Sequence, residues 1–235
     1  MDNRCVVFYD SGVGGRLLLE RTRKAFPSEN YVYYADEKNM PFGDKTQAEL
    51  ESIFENAITK IKSFCPKLLV VACNTMSCAV GEKIGALPFK TIFVKPFVPY
   101  RKKANKSSLA RNEGGKWLLL TTPATADSDF VKGLIKRDKS VTLSPQKELA
   151  REVELWQAGG KKPDISLNFE DYPRDFDCVF LGCTHYGFLK KDFKKIFPNS
   201  RIISSEDGAF DKIRNFLNTF DNCCGENILY NAKSQ

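Results

Sequence analysis

Among its 235 residues the chain has a single histidine, His185, no CxxC pair among its eight cysteines, and no apolar run approaching the ~20 residues of a membrane-spanning helix. One histidine and one nearby cysteine supply two ligands where a tetrahedral zinc site needs four, which excludes a metal reading of "GCTH" (182–185). The start "MDNRCVVFYD" lacks the charged and apolar regions of a secretory signal, and the cysteines, at 5, 65, 73, 78, 178, 183, 223 and 224, lack framework spacing. A soluble, reduced, cytoplasmic protein without disulfides is therefore expected. There is no low-complexity tract and no short-period repeat. The glycine cluster "DSGVGG" (10–15) is not a dinucleotide fingerprint, because Leu17 stands where the third glycine should fall, and it lacks the Lys-Ser/Thr of a P-loop.

Charge is present but dispersed. The 36 Lys and Arg outweigh 29 Asp and Glu by seven. Yet "RKKANK" (101–106), "KGLIKRDK" (132–139) and "KKDFKK" (190–195) sit in amphipathic segments, so solvated helix faces are expected and no nucleic-acid or membrane partner. The surplus can draw a dicarboxylate toward a cleft.

Eight short β-rich apolar runs, at 5–10, 31–35, 68–72, 91–94, 117–121, 140–144, 178–182 and 201–204, read as strands. Segments with helical spacing lie between them at 15–26, 46–64, 75–86, 123–136, 146–157, 185–197 and 206–220. Such alternation predicts an α/β fold of parallel sheets flanked by helices. Residues 96–116 open with two prolines, turn basic and end in Gly-Gly, as a crossover between two lobes would. The irregular stretch 157–177 is about as long as structureless loops become.

Reactive groups in parallel α/β sheets collect at the carboxyl ends of strands. "LLVVACNTMSCAV" places Cys73 after a strand and before Asn74, Thr75 and a helix, and "CVFLGCTHYGFL" places Cys183 after a strand and before Thr184, His185 and a helix. The pattern is one device used twice. A thiol at a helix start faces unpaired N–H groups that favour the thiolate. Against this stands the plainer reading that both are small core residues. The third loop, Asp10 and Ser11 followed by Gly12, Gly14 and Gly15, turns tightly into a helix, and its N–H groups could hold a carboxylate.

Two thiols on opposite sides of one cleft can remove a proton from the α-carbon of an amino acid on one face and return one on the other, inverting the centre. Asp10 is the candidate partner of Cys73, and His185 that of Cys183. A Cys-His hydrolase would leave Cys73 without a role. A pyridoxal enzyme and a non-catalytic binding protein are further alternatives.

Five motifs, "DSGVGG" (10–15), "ADEKNMPFG" (35–43), "ACNTMS" (72–77), "TTPATADS" (121–128) and "LGCTHYGFL" (181–189), resemble in order and spacing those of the cofactor-independent glutamate racemases of the aspartate/glutamate racemase superfamily. The resemblance runs from about residue 5 to 210. It implies two pseudo-symmetric α/β lobes, 1–95 with 207–235 and 96–206, with the active site between them and neither cofactor nor metal. By resemblance Cys73 acts on the α-proton of the D-enantiomer and Cys183 on that of the L-enantiomer, with Asp10 and Ser11 near the substrate ammonium. Asn74, Thr75 and Thr184 would hold the α-carboxylate; Pro41, Phe42, Gly43, Thr122 and Thr125 the side-chain carboxylate. Glu152 falls where the family has a glutamate that supports the second cysteine and its histidine. Family members are often dimers and supply D-glutamate for peptidoglycan. Aspartate racemases of the same superfamily differ by one methylene of substrate, and arylmalonate decarboxylases need only one thiol. Departures are Phe42 for tyrosine, Thr121 for glycine, Ser144-Pro145 for Cys-Pro, Gly187 for proline, "SSEDGA" (204–209) without Asp-Ser, and a shortened stretch after Glu152.

Overall fold

The computed structural model describes residues 4–96 and 115–220. Most of the expected crossover, the basic stretch 101–106, the terminal part of the expected first lobe from 221 onward, and Cys223 and Cys224 lie outside them.

Two four-stranded parallel sheets are built from the eight runs. The first contains β1 (Val6–Asp10), β2 (Tyr31–Ala35), β3 (Leu68–Val71) and β4 (Lys90–Phe93) in the order β2-β1-β3-β4. The second contains β5 (Trp117–Thr121), β6 (Val141–Pro145), β7 (Cys178–Leu181) and β8 (Arg201–Ser204) in the order β6-β5-β7-β8. The topologies match strand for strand. Inner strands are buried on both faces, and alternate residues feed opposite layers. Val7, Tyr9, Leu69 and Val71 pack on one side of the first sheet, and Val6, Phe8, Leu68 and Val70 on the other. The continuous apolar runs follow from this two-sided burial.

Helices α1 (Arg16–Ala25), α2 (Gln47–Lys62) and α3 (Asn74–Val80) belong to the first lobe. The second holds α4 (Pro123–Asp127), α5 (Asp129–Arg137), α6 (Leu149–Gln157) and α7 (Lys190–Ile196). Thr46 and Glu49 form a reciprocal capping box that starts α2. The single helix expected over 123–136 is two, because Ser128 takes an extended conformation (φ −61°, ψ 145°) and its hydroxyl accepts the Val131 N–H to start α5. The segment expected to be helical from 185 opens as a 3-10 turn, Thr184–Leu189, before α7. Helix α8 (Ser205–Leu217) follows the last strand of the second sheet, yet packs Ala209, Phe210, Ile213 and Leu217 against the core of the first.

In each sheet the chain leaves the inner strand pair in opposite directions, so the switch points lie between β1 and β3 and between β5 and β7. Crevices open at such points beyond the carboxyl ends of the strands. Asp10 and Cys73 stand at one switch point, Thr122 and Cys183 at the other.

Candidate active site

A cavity of about 400 Å³ is lined from the first lobe by Ser11, Pro41, Phe42, Gly43, Cys73 and Thr75, and from the second by Thr122, Cys183, His185 and Glu154. Cys73 is 5 % exposed and Cys183 7 %, so both sulfurs belong to a largely dry space. Met40, Asp44, Arg151 and Leu155 form its solvent-exposed rim.

The two thiols differ in their surroundings. Cys73 caps α3. Burial pushes its thiol well up and the nearby Asp10 carboxylate adds to this, while the N–H groups of Met76 and Thr75 pull the other way. The helix-start effect expected from sequence is present but outweighed by desolvation. Asp10 is fully buried, and its Oδ1 accepts the Ser11 N–H at 2.7 Å. Burial raises this carboxyl, against the opposing pull of His185 and the Ser11 N–H.

Cys183 has an imidazole for a neighbour, with Sγ 3.7 Å from His185 Nδ1. The other nitrogen, Nε2, lies 2.6 Å from Glu154 Oε2. Burial alone would lower the imidazole pKa. Its contacts with Cys183 and Glu154 raise it instead, to about 10. Burial likewise opposes ionisation of Glu154, but His185 and the Val13 N–H hold its carboxyl below the usual value.

The carboxylate paired with His185 is thus Glu154, not the expected Glu152. Two residues apart on α6, they face nearly opposite directions. With Leu149 and Val153 in the core, Glu154 turns into the cavity and Glu152 into solvent. The same Glu154 carboxylate accepts the Val13 N–H at 3.0 and 3.2 Å, so the glycine loop of the first lobe does hold a carboxylate, one that belongs to the protein. The glycines permit this approach. A methyl group at Gly12 would strike the Glu154 carboxylate, and one at Gly14 would strike Thr184 and stand 2.9 Å from His185 Nδ1.

On the other side of the cavity the lobes meet through three hydroxyls. Thr75 of the first and Thr122 and Thr125 of the second are mutually separated by 2.9 Å. Thr75 and Thr122 face the cavity, while Thr125, Thr184, Asp10 and Asn74 stand behind its lining. Asn74 is occupied, its amide donating to the Val94 carbonyl at 2.6 Å and the Ser205 hydroxyl at 2.9 Å.

Some departures from the motif pattern have visible causes. Phe42, 1 % exposed, packs its ring 6.1 Å from that of Tyr9 at a tilt of 49°. Ser144 shares hydrogen bonds of 2.7 Å with Tyr172 and with Gln146, tying the irregular stretch to β6. Gly187 makes room for Glu206, since a Cβ there would lie 2.8 Å from Glu206 Oε1 and 2.7 Å from Leu17 Cδ1. The structure gives no reason for Thr121 in place of glycine.

No family model matches the chain. A curated glutamate racemase of Clostridium acetobutylicum is 32% identical over 225 residues, covering 93% of this chain and 86% of the relative. The chain belongs to the glutamate racemase family. A second relative, the glutamate racemase of Clostridium botulinum, is 31% identical over 93% of the chain and 88% of its own length. Among solved structures, a glutamate racemase isoform of Bacillus anthracis superposes with a TM-score of 0.79 at 25% identity, covering 100% of this chain and 90% of that one. An aspartate racemase homologue from Pyrococcus horikoshii, 15% identical over 91% of this chain and 98% of its own, shares the fold at a TM-score of 0.54. The chain is therefore an amino-acid racemase, an isomerase, and the glutamate racemase motifs are those that line its cavity. Among the described residues no helix is long and apolar enough to cross a membrane, and no cluster of three or more metal-ligating side chains occurs.

Proposed function

We propose that this racemase interconverts L- and D-glutamate by proton transfer at the α-carbon between two cysteines, without a cofactor, in the cytoplasm, and that its D-glutamate serves peptidoglycan synthesis. The observation that carries the proposal is that Cys73 and Cys183, from equivalent strand ends of two like sheets, line one buried cavity. With L-glutamate bound, the Cys183 thiolate takes the α-proton and becomes a thiol. The electron pair left on the carbon is shared with the α-carboxylate, and the Cys73 thiol delivers its proton to the opposite face. D-Glutamate has formed, and the two sulfurs have exchanged protonation states. The reverse reaction starts from the Cys73 thiolate.

Each sulfur has a group suited to that exchange. A protonated His185, itself paired with Glu154, is a cation beside the Cys183 anion. Asp10, buried beside Cys73, favours that sulfur in its protonated form, which is the donor required when L-glutamate enters. The hydroxyls of Ser11, Thr75 and Thr122 and the Phe42–Gly43 backbone offer the polar contacts a dicarboxylate needs.

Circular dichroism of L-glutamate incubated with the protein tests the activity. Decay of the signal to zero at equal enantiomers is expected, with L-aspartate turned over much more slowly. A stable signal with tight glutamate binding would make the chain a binding protein, and faster loss with aspartate would reassign the substrate.

A further inference from the structure

Helix α8 leaves the second lobe and packs on the first, and its first turn is tied to both. The Ser205 hydroxyl accepts the amide of Asn74, the residue after Cys73, at 2.9 Å. Asp207 pairs with Arg21 of α1 at 2.6 Å and with Lys190 of α7 at 3.8 Å. Between these two, Glu206 lies against the 3-10 turn that follows Cys183, where Gly187 leaves room for its carboxyl beside Leu17 of α1. Two departures from the racemase motif pattern meet here, a glycine in place of proline and a glutamate in the stretch that lacks Asp-Ser.

Unlike its neighbours in that turn, Glu206 is poorly served. Its Oε1 is shut off from solvent and has no hydrogen-bond partner among the described residues. The charges that reach it are two carboxylates, Asp207 beside it and Asp10 from β1, and two cations, Lys190 and Arg21. Both cations are already engaged with Asp207. Burial, with the Asp207 carboxylate adding to it, raises the Glu206 carboxyl from an ordinary 4.5 to about 7. Once ionised, it repels Asp207 and competes with it for Arg21 and Lys190, the contacts that hold α8 to α1 and to α7.

We propose that Glu206 is a positioning residue that seats the turn carrying Cys183 and His185 at the joint between the lobes while its carboxyl is uncharged, and that its ionisation loosens this joint and slows the reaction; the second half rests on the racemase reading above. Melting temperatures from pH 4 to 9 and kcat from pH 6 to 9, for the wild type and Glu206→Gln, test the halves separately. Glutamine keeps the shape and cannot ionise. A carboxyl whose pKa rises on folding contributes stability that is fully present below 4.5 and is lost as pH rises through about 7. Glu206→Gln therefore matches the wild type near pH 4, melts on the order of 5 °C higher at pH 7, and keeps that lead without widening it up to pH 9. The activities behave oppositely: similar at pH 6, they separate above about 7, where the wild type loses about three- to tenfold in kcat relative to Glu206→Gln, a part of what displacing a reacting group by 1 Å can cost. The same melting difference at every pH, or none at any, would overturn the proposal, and parallel kcat profiles would overturn its second half. Failure of the racemase reading is distinct, since it is seen as absent racemisation in both proteins with the melting pattern intact.

Discussion

The two sides of the cavity are built on one plan and finished differently. Both cysteines follow the inner strand of a parallel sheet with the same strand order. Cys73 then sits at the start of a true α-helix, with a buried carboxylate as its charged neighbour; Cys183 enters a 3-10 turn and meets an imidazole backed by a second carboxylate. Repetition of the fold supplies two sulfurs facing one space, and divergence of their neighbours gives each a different charged surrounding.

The sharpest way to break this comparison is to remove one sulfur at a time. Cys73→Ser and Cys183→Ser should each lower racemisation by about 10²–10⁴-fold, the usual contribution of a positioned acid or base; full activity in either variant, by circular dichroism, would reduce the site to one base. The next contrast lies within α6. Glu154→Gln should cost about 10- to 100-fold in kcat, as loss of an orienting partner does, whereas Glu152→Gln should stay within about twofold. Equal effects would dissolve the assignment of Glu154 to His185.

Smaller effects concern the joint between the lobes. Gly14→Ala forces a methyl group onto Thr184 and His185, and overpacking of this kind costs about 1–3 kcal/mol. A lower melting temperature than that of Gly85→Ala, where a Cβ meets nothing within 4 Å, would register it. The mildest test is pH. His185 moves from an ordinary 6.5 to about 10 on folding, so its contribution to stability is fully present below 6.5 and is lost as pH rises through about 10. Melting temperatures of the wild type should therefore fall more steeply between pH 7 and 10 than those of His185→Gln, and parallel curves would deny the raised imidazole.

Much of the fold is legible in the sequence because strands buried on both faces must be continuously apolar, as "LLVVA" and "CVFLG" are. The break at Ser128 is harder to read, since "TTPATADSDFVKG" has helical spacing throughout and only the hydroxyl cap interrupts it. Within the site, the spacing of Cys73, Cys183 and His185 is visible as residue order. The role of Glu154 is not, because sequence places both 152 and 154 on one helix and only docking of the second lobe onto the glycine loop decides which faces the cavity. The Thr75–Thr122–Thr125 triangle is hidden for the same reason; Thr75 lies 47 and 50 residues from its two partners and meets them only across the lobes.

Proton bookkeeping in deuterated water tests the opposed pair most directly. When L-glutamate is supplied and the reaction is stopped early, we expect the D-glutamate formed to carry deuterium at the α-carbon while the recovered L-glutamate keeps its proton, because the acid and the base are different sulfurs. D-Glutamate that retains the original proton, or L-glutamate that gains deuterium before any inversion, would contradict it.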